Sequence, residues 1–200
     1  MKITAIKNQA KDKSRYSIFV DNKYAFSLSE RALIDSKLAQ GDELDKSEVD
    51  RLKKLSGDDK LYTRALKLVA SRPKTDGETR DYLRRKDASP ALIDSILNKL
   101  SDIDLINDKK YAKSFVNDRI LLRPTSRRKI IAELKKKHIK QTTIDEALAG
   151  YTGDPSALEQ VIRHKRRQEK YRDNLKLMQY LARQGFNYDD IKSALSSLEE

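Results

Sequence analysis

The sequence predicts a mainly α-helical protein: three tandem three-helix repeats forming an elongated curved array, preceded by a small N-terminal extension of a β-meander and short helices. Three observations predict it. One residue pattern recurs three times, apolar residues fall at helical spacing from about residue 60 onward, and the first thirty residues are rich in Ile, Val, Tyr and Phe. We therefore expect four segments: 1–56, 60–100, 105–149 and 154–198.

The N-terminal segment reads as strands followed by helices. Strands are predicted at Lys2–Gln9, Arg15–Val20 and Tyr24–Leu28, with the tight hairpin turn Asp21-Asn22-Lys23 between the second and third. Two short helices are expected near Ser29–Lys37 and Lys46–Leu55, and the polar stretch Ser56-Gly57-Asp58-Asp59 predicts the boundary to the repeats.

The recurring pattern is a Leu that opens a tetrad, basic after the Leu in the first two copies and with one Arg in the third, followed at fixed spacing by two further apolar residues. Its copies are Leu83-Arg84-Arg85-Lys86 with Ile93 and Leu97, Leu134-Lys135-Lys136-Lys137 with Ile144 and Leu148, and Leu181-Ala182-Arg183-Gln184 with Ile191 and Leu195. Self-similarity at constant spacing is typical of units that bury apolar faces against each other. The tetrad ends the middle helix of each unit, and Asp87, His138 and Gly185, which follow it, are residue types that tolerate a left-handed backbone.

Several local signals mark helix ends within the repeats. The helix Leu61–Ser71 is expected to end before Pro73, because the residue preceding a proline avoids helical angles. Thr75 with Glu78 predicts a capping box. Ser89 and Asp154 each precede a proline and are expected to cap the helix that follows.

Charge points to a polyanionic partner. The 200 residues include 43 Lys and Arg against 31 Asp and Glu, a net charge of +12, which favours nucleic acid over a membrane surface. The chain has no cysteine, no apolar run long enough to span a bilayer and no apolar leader at its start, so a cytoplasmic location is expected.

No constellation in the sequence predicts catalysis. The two histidines lack neighbours at ligand spacing, and the six scattered glycines form no phosphate-binding loop of the Walker type. Asp102, Asp104 and Asp108 lie between two helices, where capping is an ordinary role and magnesium binding is the alternative. We expect a protein that is not an enzyme and holds no cofactor or metal.

Two stretches of the repeats are almost purely cationic. A helical wheel puts Ile130, Ile131 and Leu134 on the buried side of Ser126–Lys137 and the basic residues opposite. Such faces can be simply solvated, but close like charges repel, and a polyanion would relieve the repulsion. The predicted binding face comprises Arg123, Arg127, Arg128, Lys129, Lys135, Lys136, Arg163, Arg166 and Arg167. The nine tyrosines sit mostly at apolar positions of helices and strands, which favours core packing over base stacking.

Several motifs together resemble the RecX family. They are Leu105-Ile106-Asn107-Asp108, Tyr111-Ala112, Phe115-Val116 and Arg123-Pro124-Thr125-Ser126-Arg127-Arg128, with Arg72-Pro73-Lys74-Thr75 and the Tyr82–Lys86 segment upstream. The resemblance implies a bacterial regulator of the RecA recombinase, acting in homologous recombination, DNA repair and the SOS response. It implies three three-helix repeats in the groove of the RecA–DNA filament, inhibiting ATP hydrolysis, strand exchange and filament growth. The family usually has glycine after the basic middle helix, and Asp87 and His138 depart from this.

The partners implied are the RecA filament and the phosphate backbone of single- and double-stranded DNA, contacted by a monomer without membrane attachment. The alternative is a stand-alone DNA-binding protein of helix-turn-helix type, since three-helix units with basic helices also serve that role. Asn and Gln are absent from Ser126–Lys137, so its Lys and Arg residues suit phosphate contact better than base recognition.

Overall fold

The computed structural model describes residues 1–10, 12–122, 124–151 and 154–198. It divides into two compact units. The first comprises Met1–Pro73 and Thr79–Leu105, and the second comprises Lys74–Glu78 with the chain from Ile106 onward. Helix α3 therefore begins in the second unit and ends in the first.

An antiparallel meander opens the first unit, as predicted. It comprises β1 (Ile3–Asn8), β2 (Arg15–Val20) and β3 (Lys23–Ser29), in the order β1-β2-β3. Asp21 and Asn22 both take left-handed angles, with φ of 47° and 64°, which gives the two-residue hairpin between Val20 and Lys23 the twist that its strands need.

One face of the sheet is buried against helices. Ile3, Ile18 and Leu28 are fully buried, and their cluster extends to Val49 and Leu52 of helix α2 (Lys46–Ser71). The short helix α1 (Glu30–Ser36) follows β3 directly and is capped by Ser29. Three strands alone would be marginal, so the helical cover supplies the missing apolar burial.

One sequence prediction is wrong. The stretch Ser56–Asp59, predicted as the boundary between two helices, lies within the continuous helix α2. The Ser56 hydroxyl donates to the carbonyl of Ser27 at 2.6 Å. Asp59 forms a buried ion pair with Arg15 at 2.9 Å and accepts from the backbone amide of Ser29 at 2.8 Å. The polar residues that suggested a linker attach the helix to the sheet, and an interior glycine costs only about 1 kcal/mol of helix stability.

Three helices follow one another in each repeat, which confirms the predicted fold class. The C-terminal part of α2 precedes α3 (Asp76–Arg84) and α4 (Pro90–Asp102). Next come α5 (Asp108–Leu121), α6 (Arg127–Lys136) and α7 (Gln141–Ala147), and then α8 (Asp154–Arg166), α9 (Asn174–Arg183) and α10 (Tyr188–Ser197), with a single 3₁₀ turn at Glu169–Tyr171. The limits proposed for the four segments stay a prediction.

The residues at the recurring positions form the cores of the repeats. Leu83, Leu134 and Leu181 are each fully buried, and Ile93, Ile144 and Ile191 are at most 2% exposed. The residues after the basic tetrads, Asp87, His138 and Gly185, take φ of 58°, 63° and 86°, so the predicted left-handed helix ends are confirmed. Within the described residues, no helix has both the length and the apolarity needed to cross a membrane.

Candidate functional site

Helix α6 presents the main cationic face of the second unit. Ser126 caps it by accepting from the amide of Lys129 at 3.1 Å. Ile130 and Leu134 are fully buried, and Ile131 is half-buried. The basic residues on the other side, Arg127, Arg128, Lys135 and Lys136, are exposed, and none of the ion pairs within the described residues involves their side chains. Their charge is therefore available to an external anion.

The remaining predicted face residues have different surroundings. The ammonium group of Lys129 donates to the side-chain oxygen of Gln184 at 2.5 Å. Arg166 donates to the carbonyl of Arg172 at 3.0 Å and to the Asn174 side chain at 2.5 Å. Arg163 and Arg167 are exposed, and Arg163 lies 3.8 Å from Glu159. Arg123 lies outside the described residues.

A groove of about 450 Å³ brings part of the predicted face together. Arg128, Lys129 and Lys136 line it from α6, and Arg183 and Gly185 line it from the end of α9. Its described lining includes no residue of α8 and not Arg167, which follows that helix, so Arg163, Arg166 and Arg167 are not part of this groove. Arg183 was missing from the predicted face, although its place in the third copy of the repeat pattern was a signal that could have identified it.

The start of α6 is joined to the third repeat by three contacts, which we call the Ser126 junction. The Ser126 hydroxyl donates to the carbonyl of Gln184 at 2.8 Å, and Lys129 binds the side chain of the same residue. The amide of Arg127 donates to Asp154 at 2.7 Å. Asp154 also accepts from the hydroxyl of Tyr151, and burial together with this hydrogen bond raises the pKa of Tyr151.

The same arrangement occurs in the segment that begins α3, and we call it the Thr75 junction. The Thr75 hydroxyl donates to the carbonyl of Lys137 at 2.7 Å, while Lys137 binds Glu78 at 3.0 Å. The amide of Asp76 donates to Asp108 at 2.9 Å. Thr75 and Glu78 also form the predicted capping box. Each junction thus closes one helix N-terminus with the C-terminal end of another helix.

Burial and charge move two carboxyl pKa values of the Thr75 junction in opposite directions. Partial burial opposes ionisation of Glu78, but hydrogen bonds from Lys137 and the Thr75 amide hold its pKa below the ordinary value. Burial raises the pKa of Asp108, and the charges of Asp76 and Glu78 add to the shift. Asp108, for which the sequence left magnesium binding as an alternative role, accepts a hydrogen bond from the backbone amide of Asp76. Within the described chain, His, Asp and Glu form no cluster of three that could hold a metal.

A second, larger cavity of about 610 Å³ lies between α5, α6, α8 and α9, and we call it the Leu121 groove. Its apolar wall includes Leu121 and Leu122, which are 76% and 75% exposed. Its polar lining includes Arg119, Lys129, Lys165, Glu133 and Thr125. Sequence reasoning missed this site because Leu121 and Leu122 look like ordinary positions of an apolar helix.

Known proteins are similar to nearly the whole chain. Models of the RecX family match residues 1–45 ("Regulatory protein RecX N-terminal domain"), 62–100 ("RecX, first three-helix domain"), 107–148 (the second) and 156–195 (the third). The chain is 31% identical to the regulatory protein RecX of Listeria innocua over 97% of this chain and 74% of that one. It is 31% identical to the Bacillus subtilis protein of the same name over 98% of this chain and 77% of that one.

Two solved structures are similar as well. A crystal structure of a regulatory protein RecX shares 29% sequence identity over 98% of both chains, with a TM-score of 0.71. The RecX structure from Lactobacillus salivarius shares 31% identity over 72% of this chain and 97% of that one, with a TM-score of 0.58. Four RecX models match successive segments of the chain, relatives that are 31% identical cover nearly all of it, and the chain belongs to the RecX family of regulatory proteins.

Proposed function

We propose that this protein is a non-catalytic modulator of the RecA recombinase that binds in the groove of the RecA–DNA filament. Bound there, it inhibits ATP hydrolysis and strand exchange and limits filament growth. Membership of the RecX family ties the chain to RecA regulation. The observation that carries the finer proposal is the exposed cationic face of α6, whose four basic side chains have no acidic partner within the described residues.

The Lys and Arg side chains of this face suit a polyanion whose backbone lies along them. Lys and Arg neutralise phosphates without reading bases, because phosphate contacts position a protein but carry no sequence information. The adjoining groove adds Arg183 to Arg128 and Lys136, so cations from two helices surround one concave surface. Such a surface can hold the DNA of a filament or an acidic part of its protein coat.

The test is the single-stranded-DNA-dependent ATPase rate of RecA as the full-length protein is titrated in. We expect the rate to fall at ratios well below one modulator per RecA subunit, since capping a growing filament end affects many subunits. An unchanged ATPase rate with excess protein, alongside tight binding to bare DNA, would instead support the stand-alone DNA-binding alternative.

Charge reversal tests the face itself. The variant R127E/R128E/K135E removes three exposed cations from α6, and we expect filament binding to weaken by about tenfold or more while helicity by circular dichroism is unchanged. Its matched control, R51E/K53E/K54E, reverses three exposed cations of α2 and should retain inhibition. If the face binds DNA phosphates, the slope of log affinity against log salt should flatten by roughly 0.7–0.9 for each phosphate that the variant no longer neutralises. Equal losses in both variants would mean that net charge alone drives binding, and an unchanged α6 variant would place the binding surface elsewhere.

A further inference from the structure

The Leu121 groove combines features that the cationic face of α6 does not share. Leu121 and Leu122 adjoin each other at the end of α5 and are the two most exposed large apolar side chains of the described chain. Adjacent exposed leucines at the edge of a concave surface are typical of an interaction site. The occupant therefore has to offer apolar surface.

The polar lining of the groove carries a net positive charge. Arg119 is neutralised, because its Nε and one Nη donate to the same oxygen of Glu133 at 2.9 and 2.8 Å. The other two cations have uncharged partners. Lys129 binds the Gln184 amide oxygen, and the ammonium of Lys165 lies 4.7 Å from the centre of the Tyr180 ring. Neither lysine is neutralised by these partners, so the occupant has to be anionic as well.

Thr125 supplies a third, independent observation. The residue is 5% exposed, lines the groove, and its hydroxyl has no hydrogen-bond partner within the described residues. A buried hydroxyl left without a partner is unfavourable, and native structures leave few of them. The hydroxyl oxygen is shielded from solvent, so an oxygen of the occupant accepts the missing hydrogen bond only after the Thr125 side chain turns towards the groove.

These features favour a peptide over a nucleic acid. The exposed leucines make the wall aliphatic on one side, and Tyr180 already has the Lys165 ammonium over its ring, so that face is not available for stacking by a base. The imidazole of His164 is the other aromatic ring among the described lining residues. Packing two leucines against a sugar–phosphate backbone would also remove charged phosphates from water and leave them next to apolar side chains, which is unfavourable. Carboxylates next to a bulky apolar side chain match both requirements.

We propose that the Leu121 groove binds an acidic peptide segment of a partner protein, with an apolar side chain against Leu121 and Leu122 and a carboxylate between Lys129 and Lys165. This inference goes beyond the proposed filament role and does not depend on it. The surface also differs from the cationic face of α6, with only Lys129 and Glu133 shared between the two grooves.

The probe is a fluorescein-labelled peptide of about twelve residues in which Leu and Phe alternate with pairs of Asp and Glu, titrated with the full chain and followed by anisotropy. Two reference probes are the same peptide with Ser at each Leu and Phe, and a dT oligonucleotide of similar charge. We expect the apolar-anchored peptide to bind at least about tenfold more tightly than its Ser counterpart.

Variants then locate the binding. L121S/L122S should weaken the anchored peptide by about tenfold and change oligonucleotide affinity by less than about twofold. Its matched control, I34S/L175S, removes two side chains that are 67% and 64% exposed elsewhere and should behave like wild type. K165E should weaken the peptide more than K192E, an exposed charge reversal on α10.

Thr125→Val separates a binding role from a structural one. The hydroxyl has no hydrogen-bond partner within the described chain, so T125V should unfold at the same urea concentration as wild type or a higher one, while binding the anchored peptide more weakly. Absence of peptide binding, equal affinity for the anchored and Ser peptides, or an unchanged affinity in L121S/L122S would each overturn the proposal. A parallel fall in oligonucleotide affinity would assign the groove to nucleic acid instead.

Discussion

The Thr75 and Ser126 junctions share two kinds of hydrogen bond, hydroxyl to carbonyl and amide to Asp, but they place glycine on opposite sides. At the Thr75 junction the glycine is Gly77, in the first turn of α3, and it faces His138. At the Ser126 junction the corresponding helix position is Arg128, and the glycine is Gly185, which follows the end of α9. At the Thr75 junction the two surfaces approach too closely for both to carry a Cβ atom, whereas at the Ser126 junction a Cβ on Gly185 would meet Ser126 and Lys129.

This difference explains how the chain carries a side chain at residue 138, the position that Gly185 occupies in the third repeat. A Cβ built on Gly77 would overlap the Cβ of His138, and one built on Gly185 would lie 2.6 Å from the hydroxyl oxygen of Ser126. His138 tolerates the left-handed backbone that glycine usually supplies, with φ of 63°. The room that glycine would also have provided comes instead from Gly77.

Gly77→Ala tests most directly whether one side of the Thr75 junction has to lack a Cβ atom. We expect a loss of about 3 kcal/mol in the free energy of unfolding, because the new methyl group overlaps a Cβ atom that cannot rotate away. G77A/H138G should recover most of the loss, since it transfers the glycine to the side used at the Ser126 junction. Urea unfolding of the four-member cycle, followed by circular dichroism, measures the coupling.

Gly57→Ala is the control for helix propensity. Gly57 lies within α2, and a Cβ there would meet no described atom within 4 Å apart from its chain neighbours and the backbone of its own helix, so alanine there should gain up to about 1 kcal/mol. A double variant G77A/H138G no more stable than G77A alone would contradict the exchange of glycine between the two sides.

The sequence predicted the repeats and caps but not these junctions, for a physical reason. Caps and apolar stripes depend on residues within four positions of each other, and Thr75 with Glu78 was found in that way. The junction bonds join residues 62 and 58 positions apart, and no local pattern encodes them. The one available signal was Gly77 itself, an unfavourable residue in a helical turn.

The lack of a local signal for long-range contacts also affected the prediction of the candidate site. A helical wheel placed Lys129 on the outward face together with Arg128, because it takes no account of the neighbouring repeat. In the structure Lys129 is half-buried and binds Gln184, so it belongs to the junction as much as to the cationic face. Long-range pairing likewise overrode the predicted break at Ser56–Asp59, where Asp59 pairs with Arg15.

Gly185→Ala tests the second junction, where we expect a smaller loss of about 2 kcal/mol. Its backbone has φ of 86°, which strains an alanine by roughly 1–2 kcal/mol, and the added methyl group displaces the Ser126 hydroxyl from Gln184. Adding Arg128→Gly should recover nothing, since the methyl group meets Ser126 and Lys129. Gly150→Ala, with no atom within 4 Å of its built Cβ, should be close to neutral in the same urea titration. Recovery by R128G would mean that the two junctions tolerate the same exchange.

Charge is the last and smallest difference between the junctions. Glu78 pairs with Lys137 at the Thr75 junction, whereas Lys129 meets the neutral Gln184 at the Ser126 junction. The Glu78 and Lys137 side chains are 23% and 28% exposed, and we expect Glu78→Gln to cost at most about 1 kcal/mol at pH 7 because solvent screens the pair.

The pH dependence of the stability lost in Glu78→Gln shows whether the loss comes from the charge of Glu78. The pKa of Glu78 is lowered in the folded protein, so its contribution is fully present above the unfolded pKa and is lost as pH falls through the lower, folded pKa. The raised pKa of Asp108 acts in the opposite sense. Its largest cause, burial, is common to wild type and E78Q and cancels in their difference, whereas the smaller contribution of the Glu78 charge is lost in E78Q. That difference should therefore shrink towards zero in strongly acidic urea titrations.

Gln184→Glu should give the Ser126 junction the same behaviour, a gain of up to about 1 kcal/mol at neutral pH that disappears in acid. A gain that persisted in acid would mean that hydrogen-bond geometry, rather than charge, distinguishes the two junctions.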